Sequence, residues 1–420
     1  MKFSTNLPNL MVIKIKNVVS KKYSLILGAL VTIMCLGYFL TYLRFAKPRG
    51  FKGDFYAAMY DPNWWDGRGV IYGPIFVFER WIVNALPSLA KVELFAFGCL
   101  VLIATALITI IRIVHADRAF TLFCVSIWTF NTFFYYSFSV AANPELVELL
   151  LLVIMWWAIS NKRYNLAWFV FTFAVLTKVV PIIMAPFLLL FFSWSGLVIG
   201  VLTTTAVLAV VSIGQKQSIL SSISQMVGVN AVPPQPDSEQ FLGLNSGLSR
   251  LFGLQSGENF SFVTSFALII AFILYFLALL VLMLNHKFNL YFNHEVKVAY
   301  IFAVFMCLMP IFHLGQTHRH TYLFLAPVFI AFRFVVGHDT NLTRSKAFKV
   351  FIIILFLAYS LVPIYALDVY NFDSFSGYSF GNDFRTSLLM LTEPVWANIL
   401  LFSTLLLYGI RVILPSRVKI

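Results

Sequence analysis

The sequence predicts an all-α integral membrane protein, polytopic, with about twelve transmembrane helices joined by outer-face loops and interfacial helices. Three observations predict it. The 420 residues are 60% hydrophobic and only 11% charged, whereas soluble domains average about 45–50% apolar and about 25% charged. Long apolar runs recur along the whole chain, each near the length that crosses a bilayer with its backbone polar groups satisfied internally. The Lys and Arg residues behind the net charge of +13 fall between those runs, not in a nucleic-acid-binding patch.

The apolar runs lie at 23–43, 91–111, 119–139, 146–160, 164–178, 181–193, 196–213, 262–284, 298–313, 320–336, 350–367 and 394–412. The first follows Lys14, Lys16, Lys21 and Lys22 as a signal peptide would. It is long and continues into Arg44-Phe45-Ala46-Lys47-Pro48 with no small-x-small cleavage pattern, so an uncleaved span is expected. The runs 164–178 and 181–193 are short and meet at Lys178-Val179-Val180-Pro181, which predicts two half-spans broken near a membrane face. Cys35, Cys99, Cys124 and Cys307 all sit inside apolar runs without a CxxC pair and are expected to be packing residues.

Charge orients this array. With the N-terminus inside, the five N-terminal lysines, Arg112, Arg118, Lys162, Arg163, Lys287, Lys297, Arg344, Lys346, Lys349, Arg411, Arg417 and Lys419 face the cytoplasm. Only Asp117, Glu295 and Asp339 of the 17 acids accompany them. The positive-inside rule favours this arrangement, with both termini cytoplasmic in the plasma (inner) membrane and the cations forming a collar against anionic lipid heads. The chain forms a single domain over 1–420 whose outer-face loops are 44–90, 214–261 and 368–393. Within the first, Ile71 to Ile82 is amphipathic and predicts a helix lying on the membrane surface.

Residues able to carry chemistry gather in the outer segments. Asp54, in Gly53-Asp54-Phe55-Tyr56 after span one, suits a general base made more basic by partial desolvation, or is an ordinary loop acid. Asn143, Glu145 and Glu148 open the fourth span, as caps or as carboxylates paired with Lys178 or Arg319. Lys178, at the proline break, suits phosphate binding, or snorkels to the interface. His318, Arg319 and His320 open the tenth span, where helix dipole and cationic donors favour an anion over plain interface packing. Their H-x-H spacing lacks a third ligand for a metal, so none is expected. No Walker loop, GxGxxG, GxSxG or HExxH pattern occurs.

The ordered set Gly53-Asp54-Phe55-Tyr56, Tyr72-Gly73-Pro74, Asn143, Leu176-Thr177-Lys178-Val179-Val180-Pro181, Asn245-Ser246-Gly247-Leu248 and His318-Arg319-His320 resembles the glycosyltransferase-C superfamily. Within it, the chain is similar to the polyprenol-phosphate-mannose-dependent mannosyltransferases that include the mycobacterial phosphatidylinositol mannoside and arabinan enzymes. The resemblance implies a glycosyltransferase-C-like fold. It implies inverting transfer of a hexose, mannose foremost, from a polyprenyl-phosphate sugar to a lipid-linked or glycan acceptor on the outer face, without a cofactor. It also implies Asp54 as catalytic base, Lys178, His318, Arg319 and His320 at the donor phosphate, and Tyr56, Asn143, Glu145, Asn245 and Arg250 at the substrates. Membrane lipids are the other expected partners, and nucleic acid is not one. Gly73-Pro74 stands where many members show Pro-Pro, and His-Arg-His replaces a Trp-Tyr-rich motif, which leaves sugar and acceptor open, arabinose or glucose included. A secondary transporter or lipid flippase, and a non-catalytic membrane scaffold, are the competing classes; the first would show paired broken helices in two related halves.

Overall fold

The computed structural model describes residues 7–41, 74–85, 91–130, 145–228, 244, 248, 260–288, 293–312, 317–338, 346–354 and 394–413, and among them the fold is entirely helical. The helices are α1 Leu7–Thr41, α2 Ile75–Ala85, α3 Lys91–Ile113, α4 Arg118–Phe130, α5 Glu145–Ser160, α6 Tyr164–Thr177, α7 Ala185–Phe191, α8 Ser195–Gly214, α9 Ile219–Gly228, α10 Phe260–Phe288, α11 His294–Phe312, α12 Thr317–Gly337 and α13 Pro394–Ile413. A 3-10 turn, Val180–Met184, leads into α7, and residues 346–354 are helical as well.

Three stretches, Lys22–Leu40, Ser195–Gly214 and Ser265–Leu284, are long and apolar enough to cross a membrane. The apolar helical stretches Phe97–Ile113, Arg118–Phe130, Leu146–Ser160, Tyr164–Thr177, Val180–Phe191, Phe324–Gly337 and Asn398–Arg411 are shorter. At 1.5 Å per residue a 14-residue helix such as α6 covers about 21 Å, less than the roughly 30 Å of a hydrocarbon core. Among the described residues the fold therefore holds three helical stretches of spanning length together with shorter apolar helices, and parts of the expected spans 119–139 and 350–367 lie outside the described residues.

Burial sorts these helices into a centre and a periphery. The run Val298 to Met309 of α11 is buried on all sides, and so is Phe324 to Phe332 of α12, as befits helices that are apolar all round. Trp156 of α5 stacks on Phe302 with ring centroids 4.4 Å apart. Tyr300 donates to the Leu405 carbonyl at 2.8 Å, and Asn398 donates to that of Cys307, which ties α13 to α11. The three long stretches lie outside this centre and turn Leu36, Leu202, Ile213, Ile273 and Phe276 outward. So wide an exposed apolar belt needs a cover of hydrocarbon. Cys99, Cys124 and Cys307 are buried and Cys35 is exposed on α1; all four are free thiols.

The first span, expected at 23–43, is matched by the apolar stretch Lys22–Leu40. The helix that carries it starts earlier, at Leu7, because Leu7 to Ser20 are themselves mostly apolar residues and lysines that continue the helix. The amphipathic segment expected at 71–82 appears as α2 at Ile75–Ala85, with Val77 N–H donating to the Pro74 carbonyl at 3.2 Å. Proline starts a helix well, having no amide hydrogen to leave unsatisfied.

Helices α3, α5 and α8 end alike. His115, Lys162 and Lys216 take left-handed φ of 44°, 58° and 53°. The amides that follow, on Ala116, Arg163 and Gln217, donate back to the carbonyls of Ile111, Ala158 and Ser212. This closes each last turn in the way glycine usually does.

Helices α6 and α8 approach at Gly196-x-x-x-Gly200, a small-residue spacing that lets helices come close. A Cβ on Gly196 would run into the Trp168 indole, and one on Gly200 would lie 3.3 Å from Thr172 Oγ1. The indole cannot step aside: Trp168 is buried, and its Nε1 donates to the Ser193 carbonyl at 3.0 Å. Gly196→Ala is therefore expected to destabilise by about 1–3 kcal/mol, read as a lower midpoint in thermal unfolding in detergent. Val198→Leu, a control at an exposed position of the same helix, should leave the midpoint unchanged.

Candidate functional site

Contacts between distant segments define the two ends of the bundle. His115 Nε2 lies 3.3 Å from Glu295 Oε1. The Arg118 guanidinium sits 5.6 Å from the centre of the Tyr23 ring, and His294 Nε2 donates to the Ile159 carbonyl at 2.9 Å. These join the start of α11, the ends of α3 and α5, the start of α4 and the early part of the apolar stretch of α1 at one basic end, where Arg163 also packs over Trp157.

The far end follows from helix direction. Helix α5 finishes at the basic end, so its first turn, Glu145 to Glu148, is at the other. Helix α6 leaves the basic end at Arg163 and delivers Lys178 to the far end. Helix α11 starts at His294 and finishes there at Phe312, and α12, returning antiparallel, opens there with His318, Arg319 and His320 in its first turn. Glu148 and Lys178, on the two arms of the α5–α6 hairpin, both stand about 20 Å from its turn at 1.5 Å per helical residue.

The break in the chain is at Lys178. Its backbone is extended, φ −152° and ψ 134°, while its N–H still donates to the Ala174 carbonyl at 3.0 Å. Pro181 is the second residue of the 3-10 turn Val180–Met184 that leads into α7. Tyr275 of α10 donates to the Ile183 carbonyl at 3.1 Å and meets the Phe312 ring edge-on at 5.7 Å, which holds the turn beside the end of α11. Lys178 is only 3% exposed and Glu148 is fully buried. Ionisable groups at such depth are costly to keep in a membrane protein and mark functional positions more often than structural ones.

Helix α2 sits at the same end. Ile75 and Val77 pack with Leu176, two residues before Lys178, and with Val207 and Val211 of α8. A Cβ on Gly214 would strike the Trp81 ring. Helix α1 arrives there at Thr41, so the two described flanks, Thr41 and Pro74, lie at the end that holds Lys178.

Of the predicted site residues, then, Lys178, Glu145, His318, Arg319 and His320 belong to elements that meet at the far end. Asp54, Tyr56, Asn143, Asn245 and Arg250 lie outside the described residues. No protein-family model, curated protein or solved structure gives a significant match to the chain. Among the described residues, no three His, Cys, Asp or Glu side chains cluster as a metal site. Two features escaped the sequence reading: the close α6–α8 approach at Gly196, which sets the arm carrying Lys178, and Arg333. The spacing of Gly196 and Gly200 could have revealed the first, and a cation inside the apolar run 324–336 the second.

Proposed function

We propose that the chain is a polyprenyl-phosphate-sugar-dependent glycosyltransferase of the glycosyltransferase-C kind. In this reading it is a multi-pass protein of the plasma (inner) membrane, with the basic end in the cytoplasm and the far end outside. It transfers a hexose, mannose foremost, with inversion, to a lipid-linked or glycan acceptor. The observation that carries this is the meeting, at one end of the bundle, of buried Lys178, the first turn of α12 and both flanks of the segment bearing Asp54.

The chemistry asks for opposite charges on two sides of the anomeric carbon. The acceptor hydroxyl attacks C1, the new C–O bond forms as the C1–O bond to phosphate breaks, and the electron pair leaves with the phosphate. Asp54 takes the hydroxyl proton, and Lys178 with His318, Arg319 and His320 holds the departing phosphate. The apolar belt of α8 and α10 gives the polyprenyl tail a hydrocarbon surface to follow.

A second reading, a lipid flippase or secondary transporter, draws on Glu148 and Lys178 lying buried at one level beside a broken helix. One experiment separates the two. Purified protein in liposomes is given a panel of radiolabelled polyprenyl-phosphate sugars with a lipid extract of the source cells, and fluorescent lipid analogues in parallel. Label moving from one donor into a new lipid or glycan supports transfer; no label from any donor, with analogue crossing the bilayer, sinks it in favour of translocation.

A further inference from the structure

A cavity of about 420 Å³ opens at the basic end, away from the site above, between the first turn of α4 and the last turns of α12. Its apolar wall is Phe120 and Phe123, stacked at 5.7 Å, and its polar groups are His115, Asp117, Arg333 and His338.

The imidazoles are already engaged: His115 with Glu295, and His338 Nδ1 with the Phe334 carbonyl at 2.9 Å. Arg333 and Asp117 differ. Arg333 is half-buried, and its Nη1 lies 2.9 Å from where a Cβ on Gly337 would stand, so the guanidinium rests in the space that glycine leaves. Among the described residues no oxygen accepts a hydrogen bond from it. Asp117 accepts from the Phe120 N–H through Oδ1 at 2.8 Å, and among the described residues Oδ2 accepts nothing. Both side chains line the same cavity, and among the described residues they form no ion pair. The cavity therefore presents a five-donor cation and a carboxylate, of opposite sign and held apart, above an aromatic wall.

We propose that this cavity binds the headgroup of a zwitterionic phospholipid, with the phosphate on Arg333, the ammonium on Asp117 and the acyl chains against Phe120 and Phe123. A guanidinium offers paired N–H donors to phosphate oxygens, and half-buried donors left without acceptors are costly. A headgroup with phosphate and ammonium two carbons apart carries a partner for each of the two charges. A purely anionic headgroup would set a second negative charge beside Asp117.

The test is lipid binding to the purified, delipidated chain by native mass spectrometry, titrating phosphatidylethanolamine, phosphatidylglycerol, free phosphoethanolamine and inorganic phosphate separately. Wild type should bind phosphatidylethanolamine about tenfold more tightly than phosphatidylglycerol. Arg333→Gln should lower that binding about tenfold. Gly337→Ala, which displaces the guanidinium while keeping it, should weaken it too. Asp117→Asn, which keeps the cap on α4, should erase the preference between the lipids. Unchanged thermal unfolding shows that each variant is folded. Equal affinity for the two lipids in wild type, undiminished binding in folded Arg333→Gln and Gly337→Ala, or binding of inorganic phosphate in preference to lipid would each overturn the proposal.

Discussion

Replacing Asp54 by asparagine is expected to cut sugar transfer by about a thousandfold, since general base catalysis contributes some 10²–10⁴. Asparagine keeps the size and hydrogen-bonding reach of the side chain but cannot take the proton from the acceptor hydroxyl, so both substrates should still bind. The measurement is transfer from a polyprenyl-phosphate sugar by Asp54→Asn in liposomes, with donor binding and thermal unfolding recorded on the same preparation. Full activity with intact binding would remove Asp54 from the chemistry. Lost activity with lost folding is read against Asp54→Glu, which keeps the carboxylate and should retain part of the rate.

The second large effect is expected at Lys178. Lys178→Met keeps the length and apolar stem of the side chain and removes the ammonium from a position that is 3% exposed. If that ammonium holds the leaving phosphate, kcat/KM for the donor should fall about 10²–10³-fold, the loss usual when one donor to developing negative charge is removed. The acceptor dependence should change little, and Lys178→Arg should restore part of the rate. A merely structural lysine predicts lower stability with unchanged kinetics in the folded fraction. Glu148 allows a sharper check, because it is buried at the same level of the hairpin. If the two charges are coupled, Glu148→Gln should recover some of the stability lost in Lys178→Met, as double-mutant cycles detect.

What the sequence made legible is set by how local the cause is. The sequence places His115 and Glu295 beside different apolar runs, and their contact brings the end of α3 and the start of α11 together at the basic end. The break at Lys178 was readable because Pro181 can neither donate to the helix nor fit inside it, and it is the second residue of the 3-10 turn. Causes spread over distant segments were not readable. Nothing near Gly196 announces that Trp168 will lie across it, and nothing near Arg333 announces that Asp117 will line the same cavity. The acidic half of the candidate site, Asp54, rests on its motif and on the position of Thr41 at the far end of α1.

That helix has a mechanical consequence. Helix α1 runs unbroken for 35 residues, about 52 Å at 1.5 Å per residue, against the roughly 30 Å of a hydrocarbon layer. Its lysine-bearing first half is thus a stiff shaft and not a slack tether. Because no break separates its two halves, a tilt of the lysine-bearing first half is coupled through one continuous helix to Thr41, the last described residue before the segment bearing Asp54.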